Sequence, residues 1–192
     1  MLIKTEEDIV KLVKQDKWMM TILTAAKSLD LPDWWVCAGF VRAKVWDTLH
    51  GFSNRTHLPD VDVVYFNISD LSEETEKELE SKLKSLLPKV PWSVKNEARM
   101  HLINDLSPYT SSVDAISKFP ETATALGLKL DDKNNIILTA PWGIEDLLAL
   151  KITPTPVFAE DSKLFGVYLE RIEKKNWKLL WPGIEEIQGR NQ

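Results

Sequence analysis

In this 192-residue chain, the residues best spaced for chemistry are two carboxylates in the run Asp60-Val61-Asp62-Val63. The apolar stretch Val61 to Phe66 predicts a strand, and residues i and i+2 of a strand face the same side. Both carboxylates can therefore converge on one divalent cation while Val61 and Val63 turn into a core. Mg²⁺ suits such a pair, because it takes one or two protein carboxylates and completes its shell with water and phosphate oxygens. Acids at a strand start can equally be solvated or cap a neighbour, so the upstream segment matters. There Gly39 ends an apolar run and Arg42 to His50 has a helical pattern closed by Gly51. A glycine at the turn lets the backbone approach phosphate closely. The helix start would aim N–H groups and its positive dipole end at the anion, with Arg42 adding a forked cation.

Other chemistries lack their parts. Three histidines and one cysteine offer no zinc-ligand spacing. There is neither a G-x-S-x-G turn nor a Walker A loop. Cys37, within an apolar run, reads as an inert core thiol. His101 can approach the site or serve as a hydrogen-bonded structural residue, and His57 or Arg55 can touch substrate from the loop before Asp60. Asp47 can pair with Arg42 or Lys44, or be solvated.

The elements that must position these groups follow from caps and periodicity. Thr5 with Asp8 opens a first helix, and Asp16 a second that runs to Leu29 before Pro32. Trp34 to Phe40 predicts a buried strand, Ser72 opens a helix ending before Pro88, and Val90 to Met100 alternates as a third strand. Ser111 to Lys118 reads as a short helix, Thr122 to Leu130 and Ile136 to Ala140 as paired strands, and helices follow from Gly143 and Glu160. This order implies a mixed α/β sheet.

Lys and Arg total 24 against 29 Asp and Glu, a net charge of −5 that argues against an extended nucleic-acid groove. The longest uncharged run, Asn134 to Ile144, falls short of the roughly 18 residues of a membrane span. No secretory signal is evident, and a lone cysteine suits a cytoplasmic protein. Eight tryptophans must each find apolar cover and an N–H partner.

Taken together, G-F-V-R-A-K-V-W-D-T-L-H-G followed by D-V-D-V resembles the nucleotidyltransferase superfold signature, and distantly the head of poly(A) polymerases and CCA-adding enzymes. More closely, the chain resembles a bacterial family of small single-domain nucleotidyltransferase-like proteins of unassigned substrate. Leu31 to Trp35, Val45-Trp46-Asp47, Asn96 to His101, Ala140 to Leu147, Lys175-Asn176-Trp177 and Trp181-Pro182 carry that likeness. It implies an α/β (α+β) fold, a small mixed sheet flanked by helices, in one domain spanning 1–192. N-terminal helices would occupy 5–29, the sheet core about 34–140 and the C-terminal helices about 143–180.

The resemblance further implies Mg²⁺-dependent transfer, through one ion or two, of an NMP group from an NTP to an unknown acceptor, whether a small molecule, a protein or an RNA end. Asp60 and Asp62 would hold the metal, Gly39, Phe40, Arg42 and Lys44 the phosphates, and Glu97 would supply a third catalytic carboxylate. Two departures stand out. Phe40 replaces the small hydroxyl residue or second glycine of relatives. Adjacent strand residues face opposite sides, so either Asn96 or Glu97 meets the Asp pair. The alternative reading is a nucleotide-binding or interaction module on the same fold. Trp46, one turn from Arg42, is the tryptophan expected to line the nucleotide pocket.

Overall fold

A computed structural model describes residues 2–188, so the expected domain limits at 1 and 192 lie outside the described residues. Its centre is a five-stranded mixed sheet in the order β3-β2-β1-β4-β5, with β1 at Trp35–Cys37, β2 at Val61–Tyr65, β3 at Trp92–Asn96, β4 at Gly127–Leu130 and β5 at Ile136–Thr139. Only β2 and β3 run parallel, joined through helix α4 at Glu73–Leu86. On one face Val36, Val61, Val63, Val94 and Leu128 join the main core. On the other, Trp35, Cys37 and Val64 form a smaller cluster with Ile116 and Ala125. Cys37 opposes Asp62 across β1 and β2, which puts Asp62 on this second face.

Two helices, α1 at Glu6–Lys14 and α2 at Lys17–Lys27, start where their caps dictate: Thr5 and Asp8 form a reciprocal capping box, and Asp16 accepts from the Met19 amide. Helix α3 spans Gly39–Leu49. Strand β1 is shorter than expected because the chain turns at Ala38, whose φ of 55° and ψ of −119° lie where side chains are strained. Gly39, expected at the turn, is instead the first helical residue and has no positive φ.

The third strand also stops early. Asn96 ends β3 and caps the four-residue helix α5, Glu97–Met100, accepting from the Ala98 amide. The segment from Thr122 opens with a 3₁₀ turn before β4. Beyond helix α6 (Ser112–Ile116) and the sheet come α7 (Glu145–Leu148), α8 (Pro156–Glu160) and the long α9 (Ser162–Lys175). A two-stranded parallel pair, β6 (Lys151–Ile152) with β7 (Glu185–Glu186), was not foreseen, being too short to carry a periodic signal. Among the described residues no helix is long and apolar enough to cross a membrane.

Several tryptophans find the partners they need. Trp46 Nε1 donates to Leu147 O at 3.0 Å and Trp142 Nε1 to Ser117 O at 2.7 Å. Trp181 Nε1 donates to Asp47 Oδ1 at 2.9 Å, and the same carboxylate accepts from the Thr56 amide and hydroxyl at 2.8 and 2.6 Å. Asp47 thus pairs with neither Arg42 nor Lys44. It clasps the loop before β2 to the C-terminal segment. Asp47→Ala strands three donors, one of them on Trp181 in the wall of the cleft described below, and should cost about 2 kcal/mol. A lower urea midpoint checks this; an unchanged one would refute it.

Candidate active site

The start of α3, the entry to β2 and the end of α9 enclose a cleft of about 320 Å³. Asp60 and Asp62 line one wall, Ala38, Gly39 and Arg42 the floor, and Arg171, Lys175, Trp177 and Trp181 the wall opposite. Val41 N and Arg42 N both donate to Ala38 O at 3.1 Å, and no side chain caps the helix, so the amides of Gly39 and Phe40 remain at its open end. A Cβ added at Gly39 would lie 3.7 Å from Arg42 Nη2, an ordinary contact. The missing side chain therefore leaves room in the cleft and is not required by the backbone.

Neither Asp60 nor Asp62 meets a cation within ion-pairing distance among the described residues. The Asp62 carboxyl is raised to about 6, first by burial and then by the charge of Asp60, against the Ser93 hydroxyl and the cations Arg171 and Lys175. Two neighbouring carboxylates in a polar cleft, one raised by burial and then by the other, are a donor set that a hard divalent cation fits. Among the described residues no group of three or more His, Cys, Asp or Glu forms a closed metal cage. Magnesium does not require one, since phosphate and water fill its remaining positions.

Arg42 is 7% exposed and lies over three indoles, 5.1 Å from the ring centre of Trp46, 4.4 Å from Trp177 and 5.8 Å from Trp181. Burial pulls its guanidinium down to about 10, Glu121 opposes the fall and Arg171 adds to it. Its Nε has no hydrogen-bond partner, although it is buried. A guanidinium with a spare donor at an open helix start is a ready anion contact. Arg171 is held in turn by the fully buried Glu121, Nε to Oε1 at 2.6 Å, while Thr124 Oγ1 donates to Oε2 at 2.7 Å.

The structure does not bring every expected phosphate-binding side chain here. Lys44 Nζ pairs with Asp16 Oδ2 at 2.9 Å, a site it shares with Arg55, because a helix starting at Gly39 turns position 44 towards α2. Phe40 is buried against Trp18, ring centres 5.9 Å apart, so only its amide belongs to the helix start. Trp46 is fully buried under Arg42 and does not line the cleft; Trp177 and Trp181 do. Sequence reasoning missed Arg171 and Lys175. Their i,i+4 spacing was the available signal, since it places both on one helix face.

Glu97 lies on the Asp62 side of the sheet and Asn96 on the other. Asn96 Nδ2 donates to the carbonyls of Asn67 and Asp70 at 2.7 Å, and its backbone N–H donates to Glu76 Oε1 at 2.8 Å. Glu97 is 5% exposed, and burial, then Asp62, then Glu76 raise its carboxyl to about 8 against Arg99. It does not line the cleft itself. Cys37 stands near all three carboxylates, and burial, then Asp62, Glu97 and Asp60 push its thiol well up.

A glycine-opened helix start facing two strand-borne carboxylates over a mixed sheet is the arrangement of a nucleotidyltransferase. The nucleotidyltransferase family model matches residues 24–185, and the chain belongs to that family. Among solved structures, an NMR structure described as revealing a CCA-adding enzyme head domain is 37% identical, with a TM-score of 0.88, covering 97% of this chain and 98% of that one. The Thermotoga maritima CCA-adding enzyme complexed with tRNA has a TM-score of 0.56 at 17% identity, and a CCA-adding enzyme complex with CTP 0.56 at 16%. Each of these two comparisons covers 97% of this chain but only 43% and 44% of the other, so the chain spans under half of the longer enzymes. No curated protein matches it.

Proposed function

We propose that the protein transfers an NMP group from an NTP to a hydroxyl acceptor, with Mg²⁺ held by Asp60 and Asp62. The observation that carries this reading is the one cleft that sets two carboxylates, neither in an ion pair among the described residues, against Arg42, Arg171, Lys175 and the open start of α3. Phosphate oxygens would take the amides of Gly39 and Phe40, the spare Nε of Arg42, and the cations of α9. When bound, the metal would orient the triphosphate and offset developing charge. Glu97 would accept the acceptor's proton as its oxygen bonds to the α-phosphorus. The bond from that phosphorus to the bridging oxygen breaks, and pyrophosphate leaves with the electron pair.

The test is incubation of purified protein with Mg²⁺, each α-labelled NTP and cell extract. Label should move to an acceptor and the transfer should disappear with EDTA. Mg²⁺-dependent NTP binding without any transfer would replace this reading with that of a binding module.

A further inference from the structure

Two guanidiniums of the cleft share one indole: Arg42 Cζ lies 4.4 Å and Arg171 Cζ 5.9 Å from the ring centre of Trp177. Like charges so placed repel, and Arg171 is among the causes that pull the Arg42 guanidinium down. One buried anion offsets both. Glu121 does not line the cleft; it is wholly buried just before the 3₁₀ turn Thr122–Thr124, and both of its carboxylate oxygens are held. Oε1 accepts from Arg171 Nε at 2.6 Å and Oε2 from Thr124 Oγ1 at 2.7 Å. Its backbone is fixed as well, since its carbonyl accepts from the amides of Thr124 and Ala125. The bond to Arg171 occupies Nε alone. Among the described residues neither terminal amino group of Arg171 has a protein acceptor, and its side chain is 33% exposed.

We propose that Glu121 is a positioning residue for the triphosphate: by clamping Arg171 Nε it turns the two free amino groups of that guanidinium into the cleft, where they take phosphate oxygens. This role rests on the nucleotidyl-transfer reading above. Three features favour it over a staple that only ties α9 to the sheet. A buried carboxylate is a costly staple, because apolar side chains could join the same elements without its desolvation. A guanidinium used for anchoring spends its terminal amino groups on partners, as Arg99 does on Glu73 and Glu76, whereas Arg171 keeps its outer edge free. That free edge also stands in the cleft that carries the carboxylate pair. Without the anion, repulsion from Arg42 would drive Arg171 outward to solvent, and the phosphate contact would go with it.

Calorimetry on the full chain with Mg²⁺ and inorganic tripolyphosphate reads phosphate binding without a base or an acceptor. Glu121→Gln keeps the shape and should weaken that binding about tenfold, the worth of a hydrogen bond to a charged group. Arg171→Ala should weaken it at least as much. The double variant should bind no more weakly than Arg171→Ala alone, because one residue acts through the other. A staple would not respond to chemical rescue: millimolar guanidinium ion should restore binding to Arg171→Ala by filling the place beside Glu121, and urea should not. Neither should restore it to the double variant. In the label-transfer assay Glu121→Gln should raise the NTP KM about tenfold while kcat changes by about threefold or less. Thr124→Val keeps the carboxylate but frees its Oε2; it keeps the test valid if Glu121→Gln folds poorly, and should weaken tripolyphosphate binding about threefold. No tripolyphosphate binding by the wild type, undiminished binding in Glu121→Gln, additive losses in the double variant or absence of guanidinium rescue would overturn this role. Tripolyphosphate binding that obeys the cycle in a protein that transfers no label would sink the transfer reading and leave the role of Glu121 standing.

Discussion

Asp62→Asn should reduce label transfer by about a thousandfold or more while leaving the protein at least as stable as wild type. The magnitude follows from the several kcal/mol that a bound cation contributes to the transition state of phosphoryl-type transfer, at 1.36 kcal/mol per tenfold in rate. The stability half follows from the site's own electrostatics. Burial and the charge of Asp60 raise the Asp62 carboxyl to about 6, so the folded protein bears a cost for ionising it. An amide of the same shape removes that cost and still accepts a hydrogen bond from Ser93. Lost transfer with an undiminished melting temperature separates a functional carboxylate from a structural one. The double variant Asp60→Asn, Asp62→Asn should also lose Mg²⁺-dependent NTP binding by calorimetry. Retention of a tenth of wild-type transfer by Asp62→Asn would show that the cation, if needed, is held elsewhere.

What was readable in the sequence was what is local. The caps at Thr5 and Asp16 involve residues three apart, and the period-2 pattern of Val61 to Tyr65 specifies its own inward face. The same locality made Asp60 and Asp62 visible as a pair, and the structure places both in one cleft. The phase of α3 was harder. Whether position 44 faces phosphate or α2 depends on which residue begins the helix, and that depends on Ala38 taking a strained conformation no propensity would choose. The far wall of the cleft was out of reach. Arg171, Lys175, Trp177 and Trp181 come from the end of the chain, and only tertiary packing, with Glu121 gripping Arg171 and Asp47 gripping Trp181, brings them opposite the carboxylates. Alternation held at Asn96 and Glu97, which face opposite sides, but the end of the strand was not readable: Asn96 turns to cap α5, so Glu97 opens a helix where the sequence pattern continued the strand.

That placement of Glu97 gives the protein a measurable pH dependence. Its ordinary value of 4.5 is raised to about 8, first by burial, then by Asp62 and Glu76. The fold therefore favours the neutral acid. Stability from this group is fully present below pH 4.5 and is lost as pH rises through 8, when the unfolded chain ionises freely and the folded one does so at a cost. With 1.36 kcal/mol per pH unit between those limits, the loss is on the order of 3–5 kcal/mol by pH 8 and above. Glu97→Gln keeps the shape and removes the ionisation. In EDTA the variant and wild type should melt together near pH 4.5, and the variant should melt about 10 °C higher at pH 8.5. If Glu97 takes the acceptor's proton as proposed, the same substitution should also lower transfer by about 10²–10⁴. A residue kept only for packing would lose stability on substitution; one kept for chemistry yields stability as it loses rate. An equal melting difference at both pH values would show that Glu97 is not the group that titrates, and an unchanged rate would remove it from the reaction.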